Sequence, residues 1–85
     1  MAKATLTDED MWHFLGVVAH DEAGGRSSVG PEPKPGVIAA ERAGYIWLRR
    51  HPPGYIVEVT REGRLAAHRW AARQAKDAAR RFGVS

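Results

Sequence analysis

The order of local structural signals between residues 36 and 67 constrains the fold more than any other feature of the chain. A short helical stretch ends at Gly44, and two runs rich in aromatic and β-branched residues follow, at Tyr45–Arg49 and Tyr55–Thr60. Residues 50–54 join the two runs and contain two prolines and a glycine, which favour a hairpin loop. A second helix begins after the second run. The sequence therefore predicts an α+β fold in which a hairpin between two helices carries basic residues.

An N-terminal helix is predicted from about residue 8 to residues 20–23. Thr7 has the side chain of an N-cap residue, and three acidic residues follow it, where they suit the positive end of the helix dipole. Asp10 has the spacing that closes a capping box on Thr7. The apolar residues then recur at helical spacing, which predicts one buried face: Met11, Phe14, Leu15 and Val18. Residues 1–5 are predicted to be a flexible tail.

Residues 24–35 form a Gly/Pro-rich connector with no convincing helix. Alternate prolines at positions 31, 33 and 35 remove backbone donors and clash with a preceding helical turn, so this stretch is expected to be extended. Arg26–Val29 has the composition of a short strand. Pro35 sets the first turn of a short central helix over about residues 35–43, and Gly44 is predicted to end that helix with a left-handed cap.

A long C-terminal helix is predicted over residues 61–82, with Thr60 as its cap. Two apolar stripes follow steps of three and four. One consists of Leu65, His68, Ala72, Ala75, Ala79 and Phe82, and the other of Ala67, Ala71, Ala75, Ala78 and Phe82. Trp70 is the one large anchor of the helix. A separate face carries a possible secondary basic stripe, Arg69, Arg73, Lys76 and Arg80.

Composition limits the classes of protein to which this chain can belong. Eighty-five residues predict one domain over residues 1–85 with a small core, which a second subunit would enlarge. The chain has no cysteine, no apolar run long enough to cross a membrane, and no basic-then-apolar start typical of a signal peptide. A cytoplasmic protein without membrane contact is therefore expected.

The charge is distributed unevenly along the chain. Residues 1–25 contain one lysine against five acids, a net charge of −4, whereas residues 26–85 contain 12 basic residues against five acids, a net charge of +7. Ten of the 13 basic residues are arginine, the better ligand for phosphate and base edges. This asymmetry indicates a directed positive surface.

The middle of the chain resembles winged-helix proteins. The residues that carry the resemblance are Ala43-Gly44-Tyr45-Ile46 after a helix, the hairpin, and Val59-Thr60-Arg61-Glu62-Gly63-Arg64 at the start of the next helix. The chain is similar here to small bacterial regulators of the multiple-antibiotic-resistance and phenolic-acid-repressor types, over about residues 36–70. The resemblance implies a winged-helix-like fold with an N-terminal helix, a short central recognition helix, a β-hairpin wing and a long C-terminal helix.

The chain departs from that family pattern before the central helix. Winged-helix domains normally carry a further helix there, and the two helices form a helix-turn-helix. Residues 24–35 occupy that position and do not read as a helix. Three alternatives stay open: the first helix of the pair is reduced to a turn, residues 8–22 take its role, or the fold only imitates the wing.

These observations predict a small DNA-binding protein, a transcriptional regulator that contacts double-stranded DNA with its wing and central helix. The candidate DNA-binding residues are Lys34, Arg42, Arg49, Arg50 and His51. The backbone donors of Gly36 and Val37 are further candidates for phosphate contact. A homodimer is expected through the C-terminal helix. The alternative is a protein-protein interaction adaptor or inhibitor, such as an accessory or phage protein, that uses the same scaffold without binding DNA.

The remaining chemistry-bearing residues indicate core or surface roles. The tryptophans Trp12, Trp47 and Trp70 are expected in the core, with Trp47 as the best candidate for exposure because it alternates with Ile46 and Leu48. His13 and His20 lie seven residues apart, about 10 Å along a helix, which is too far for one metal ion. No cofactor, metal site or nucleophile–base arrangement is indicated, so the chain is not predicted to be an enzyme.

Overall fold

The computed structural model describes residues 6–83, so the predicted tail at residues 1–5 lies outside the described residues. Three helices and three strands follow in the order α1 (Asp8–Glu22), β1 (Ser27–Val29), α2 (Pro35–Arg42), β2 (Ile46–His51), β3 (Gly54–Val59) and α3 (Arg61–Arg81). The strands form one antiparallel sheet in the order β1-β3-β2. The predicted α+β class is confirmed, and this layout is compatible with a winged-helix-like arrangement.

The ends of the helices follow the local signals in the sequence. The Asp10 backbone N–H donates to the Thr7 hydroxyl (3.1 Å), and the Thr7 backbone N–H donates to the Asp10 carboxylate (3.0 Å), which closes the predicted capping box. Gly44 ends α2 with a φ of +80°, a conformation that other L-residues rarely adopt. The Gly63 backbone N–H donates to the Thr60 hydroxyl at the start of α3 (3.0 Å). These short-range interactions explain why the predicted helix boundaries agree closely with the observed ones.

The Gly/Pro-rich connector contains a strand and no helix. Ser27–Val29 pairs with β3, where Ser27 lies opposite Val57 and Val29 lies opposite Tyr55. This pairing confirms the short strand suggested by the composition of residues 26–29. The chain then crosses residues 30–34 without regular structure before α2 begins.

The hairpin strands are longer than the sequence predicts. Residues 50–54 were expected as a loop, but β2 extends through His51 and β3 starts at Gly54, so the turn consists of Pro52 and Pro53 alone. The register pairs Arg50 with Tyr55 and His51 with Gly54. Ladder pairing thus continues to the end of the hairpin, which makes Arg50 and His51 strand residues with defined directions.

One small core holds the helices on one face of the sheet. The buried side chains are Met11, Phe14, Val18, Ala40, Ile46, Val57, Ala67 and Trp70. Leu48 and Val59 pack against this cluster, so alternate residues of β2 and β3 face the helices. The aromatic rings of Phe14 and Tyr45 are stacked with their centroids 5.7 Å apart. The opposite face of the sheet carries none of the buried core residues.

One narrow face of α3 is buried in the core. Its buried residues are Gly63, Ala67 and Trp70, whereas Leu65 is exposed and Phe82 is 79% exposed. The expectation of a core position holds for Trp70 and is wrong for Trp12, which is exposed, whereas Trp47 is exposed as its alternation with Ile46 and Leu48 indicated. The reason is geometric: α1 covers only the N-terminal half of α3, and no residue from 71 to 81 is buried.

Candidate nucleic-acid interface

The two adjacent arginines of the hairpin point to opposite faces of the sheet. Arg50 alternates with Ile46 and Leu48, so its side chain lies on the face that carries the helices. Arg49 lies on the other face, together with Trp47 and His51. From the sequence, Arg49, Arg50 and His51 were predicted to form one basic group beside the turn. The extended strands separate them, because successive side chains of a strand alternate between faces.

Only one of these arginines has an acidic partner within residues 6–83. The Arg49 guanidinium forms an ion pair with the Glu58 carboxylate on the neighbouring strand. Both side chains remain accessible to solvent, so this contact is a surface ion pair. Arg50 takes part in no ion pair with another described residue. The positive charge of Arg49 is therefore partly balanced, whereas that of Arg50 is available to a ligand.

Lys34 and Arg42 lie at opposite ends of α2. Lys34 is the N-cap residue and makes no capping hydrogen bond with its side chain, and Arg42 is the last helical residue. The eight residues of α2 separate them by about 12 Å along the axis. Lys34 and Val29 line the same cleft. Val29 pairs with Tyr55 of β3, and Tyr55 pairs with Arg50 of β2. Lys34 therefore lies towards the hairpin end of the sheet, and Arg42 lies towards the opposite end.

A carboxylate lies at the N-terminus of α2. A Cβ atom added to Gly36 would lie 2.5 Å from Oδ1 of Asp10, so this oxygen sits beside the first turn of the helix. A negative charge at this position favours the helix dipole and repels a phosphate. The backbone donors of Gly36 and Val37 are consequently unfavourable phosphate ligands. Nothing in the sequence signals the approach of Asp10, since 26 positions separate it from Gly36.

The exposed surface of α2 offers few groups for reading bases. Its sequence is Pro-Gly-Val-Ile-Ala-Ala-Glu-Arg, and its only hydrogen-bonding side chains are those of Glu41 and Arg42. Both lie in the last turn. Direct readout in the major groove needs several donors and acceptors on one helix face. The composition of α2 suits contact with a sugar-phosphate backbone better than sequence readout.

The secondary basic stripe lies on a fully accessible face of α3. All four of its members are exposed: Arg69, Arg73, Lys76 and Arg80. None of them pairs with an acidic residue in the described part of the chain. In contrast, Arg64 and His68 on the same helix contact Asp21 (3.7 Å) and Glu22 (3.0 Å) of α1. The inner polar residues of α3, Arg64 and His68, therefore connect the two helices, and the outer basic residues face solvent.

A cleft of about 430 Å³ lies beside the last residues of β3, which do not pair with β1. Its lining includes Arg26, Arg49 and Arg64 together with the carboxylates of Asp21 and Glu58. Arg26 is exposed and was not among the residues selected from the sequence. Arg26 could have been identified from the sequence by its position directly before the short strand β1, because that strand pairs with β3.

Metal-binding clusters and membrane-spanning helices are absent from residues 6–83. No group of three or more His, Asp or Glu side chains between residues 6 and 83 is arranged to hold a metal ion. None of the described helices has both the length and the apolar character needed to cross a membrane. Comparison with known proteins gives no match, because no family model, curated protein or solved structure is significantly similar to the chain.

Proposed function

We propose that this chain is a small DNA-binding protein with a winged-helix-like layout, and that it acts as a cytoplasmic transcriptional regulator. The observation that carries the proposal is Arg50, an exposed arginine near the tip of the β2–β3 hairpin that forms no ion pair with another described residue. His51 extends the same tip, and Lys34 and Arg42 add positive charge at the two ends of α2. Cations in such positions support contacts with the phosphate backbone.

The arrangement supports modest sequence preference. Because α2 presents few hydrogen-bonding side chains, most of the binding free energy comes from charge neutralisation. Binding through Lys34, Arg42 and Arg50 predicts a slope of about −3 in a plot of log affinity against log salt concentration. An arginine at a hairpin tip can also enter a narrow minor groove, which favours A·T-rich duplexes.

The test is a fluorescence anisotropy titration with a labelled duplex at several salt concentrations. Replacement of Arg50 by Ala should weaken binding about tenfold, because a charge-assisted hydrogen bond contributes about 1.5 kcal/mol. Replacement of Arg49 should weaken binding by a smaller factor, since Glu58 already balances its charge. An Arg49→Ala, Arg50→Ala double variant that binds as tightly as the unmodified protein would overturn the role of the hairpin.

A parallel variant separates the hairpin from the basic stripe of α3. Arg73→Ala removes one exposed charge from the middle of that stripe and leaves the hairpin intact. If duplex binding runs through the hairpin, Arg73→Ala should change affinity by less than about twofold at physiological salt. An effect as large as that of Arg50→Ala would assign DNA contact to α3 instead.

We also propose that the protein is a homodimer through the C-terminal half of α3. The Cα radius of gyration is 14.2 Å, compared with about 12 Å for a compact chain of this length, because this half extends beyond the body. A cleft of about 420 Å³ on this half is lined by exposed Trp12 and Phe82 together with Ala71, Ala75 and Ala78. Asp77 and Arg81 border it, so a two-fold axis would bring opposite charges together.

The dimer has a direct test in solution mass. Light scattering after gel filtration should give twice the 9.4 kDa chain mass. Phe82→Glu introduces a charge into the exposed apolar lining of this cleft and should shift the mass to that of a monomer. Arg73→Glu, on another face of α3, is the matched control and should stay dimeric. A monomeric unmodified protein at ~100 µM would reject this interface.

The alternative function is a protein-binding adaptor or inhibitor. One observation favours it: the connector forms β1, and no helix lies between β1 and α2, where winged-helix domains carry the first helix of the helix-turn-helix. No retention of genomic fragments in a gel-shift at ~100 mM salt and micromolar protein would support this alternative over DNA binding.

A further inference from the structure

The strand β2 forms an open edge of the sheet. The strand order β1-β3-β2 leaves β2 with a single strand partner among residues 6–83. Its six residues run for about 20 Å, and the backbone groups on its outer side have no partner strand. Natural proteins usually shorten or cover such an edge, because it can accept another strand. The length of this edge therefore calls for a physical explanation.

The hydrogen-bond pattern identifies the groups that point outward. The Thr60 backbone N–H donates to the Tyr45 carbonyl (2.9 Å), so Tyr45 and Thr60 form a hydrogen-bonded pair. In an antiparallel ladder every second pair is of this kind, so every second residue of β2 after Tyr45 bonds to β3. The residues of β2 in between direct their N–H and C=O groups away from β3. These residues are Ile46, Leu48 and Arg50. They form the edge that an added strand would pair with.

The side chains along this edge select the chemistry of the partner. Arg49, Arg50 and His51 are adjacent, and β2 contains no acidic residue. Two copies of β2 paired with each other would bring four guanidinium groups together, which disfavours a second copy of this chain. An acidic strand would meet Arg49 on one face of the sheet and Arg50 on the other.

The outer face next to this edge has the composition of a protein interface. Trp47 is 66% exposed there, and Ile56 and the Arg49–Glu58 pair lie on the same face. Tryptophan and arginine are enriched among residues that dominate protein–protein binding. A polypeptide strand can pair with the open backbone edge of β2, whereas a nucleic acid has no peptide backbone to add to the sheet, so a polypeptide fits this edge better.

We infer that β2 binds an extended acidic segment of a partner protein, which adds to the sheet as a fourth strand. The backbone of the segment pairs with Ile46, Leu48 and Arg50, and two adjacent acidic residues in it reach opposite faces, as Arg49 and Arg50 do. An apolar side chain of the segment packs against Trp47. This inference does not depend on DNA binding, although Arg50 contributes to both surfaces.

The experiment is an NMR titration of the full-length ¹⁵N-labelled chain with a synthetic peptide. The probe is a capped eight-residue peptide in which two adjacent glutamates are flanked on both sides by valine and threonine. The control peptide carries two lysines in place of the glutamates. Binding should shift the amide signals of Ile46, Leu48 and Arg50 and slow their exchange with solvent, since these N–H groups gain partners. The lysine peptide should leave them unchanged.

Two pairs of variants separate edge binding from general effects of charge and folding. Arg50→Glu should weaken binding of the acidic peptide at least about tenfold, whereas Arg73→Glu, with the same change in net charge, should have an effect below about twofold. Trp47→Ala should weaken it about fivefold or more, whereas Leu65→Ala, at another exposed large hydrophobic residue on α3, should not. Circular dichroism tests whether each variant is folded. If Arg50→Glu does not fold, Arg50→Gln replaces it in the titration.

Several results would overturn this inference. One is the absence of shifts at the β2 edge at ~1 mM peptide, a concentration that detects weak strand addition. Equal binding of the glutamate and lysine peptides would exclude an acidic partner. Shifts of the same amides with a twelve-residue oligo(dT), and none with the acidic peptide, would assign the face to single-stranded nucleic acid. Trp47→Ala should leave duplex affinity unchanged, so failure of the peptide result is distinguishable from failure of DNA binding.

Discussion

Replacement of Gly63 by Ala tests how closely α3 approaches the hairpin. Gly63 is buried in the first turn of α3. A Cβ atom added there would overlap the Tyr45 carbonyl oxygen, lie 2.9 Å from its carbon, and lie 3.0 Å from Cζ of Phe14. Since two carbon atoms need about 3.5 Å, the helix or the strand would have to move by at least about 0.6 Å.

The expected result is a loss of stability, although alanine is the better helix former. The gain from helix propensity is at most about 1 kcal/mol, whereas overpacking against a backbone group costs about 1–3 kcal/mol. The upper end applies, because the Tyr45 carbonyl also accepts a hydrogen bond from Thr60 and cannot rotate away as a side chain would. A net loss of about 2 kcal/mol would lower Tm by about 10 °C in a domain of this size.

Gly16→Ala is the matched control for this change. Gly16 lies in the middle of α1, and a Cβ atom added there meets nothing within 4 Å. Its replacement should raise the free energy of unfolding by about 0.5–1 kcal/mol. Urea unfolding followed by circular dichroism measures both variants. If Gly63→Ala were stabilised as much as Gly16→Ala, the close contact between α3 and the Tyr45 backbone would not exist.

Three further substitutions test the local interactions that join the hairpin to the helices. Thr60→Ala removes a hydroxyl that donates to the Gly44 carbonyl (2.7 Å) and accepts from Gly63, and urea unfolding should show a loss of about 1–2 kcal/mol. Gly44→Ala meets no steric neighbour but must hold a φ of +80°, so it should lose about 1 kcal/mol in the same assay, and no loss would show that α2 ends differently. Trp70→Ala should destabilise the fold by about 3–5 kcal/mol in thermal unfolding, because it removes the largest side chain of the core, and a loss below about 1 kcal/mol would contradict its burial.

The helix ends and the hairpin could be predicted because their signals lie close together in the chain. Thr7 and Asp10 close a capping box over three positions, and Gly44 supplies the backbone conformation that ends α2. The proline pair between the two β-type runs limits the connection to a turn. Interactions of this kind depend on a few neighbouring residues and little on the rest of the molecule.

The candidate site was less predictable, since its electrostatics depend on residues far apart in sequence. Alternation along β2 could have separated Arg49 from Arg50, but only the strand register brings Glu58 to Arg49. The approach of Asp10 to the N-terminus of α2 depends on how the two helices pack. The sequence supplies the candidate basic residues, and the structure decides which of their charges are balanced.

The sequence by itself determined the elements of this protein: where the three helices begin and end, the hairpin, and the excess of basic residues after position 25. The tertiary structure alone decided which face of α3 is buried. A helix of many alanines offers several equivalent stripes, and the choice among them depends on which stripe lets α1 and the Tyr45 backbone approach. Gly63, Ala67 and Trp70 satisfy that condition, because two small residues allow close contact and one large residue fills the remaining space.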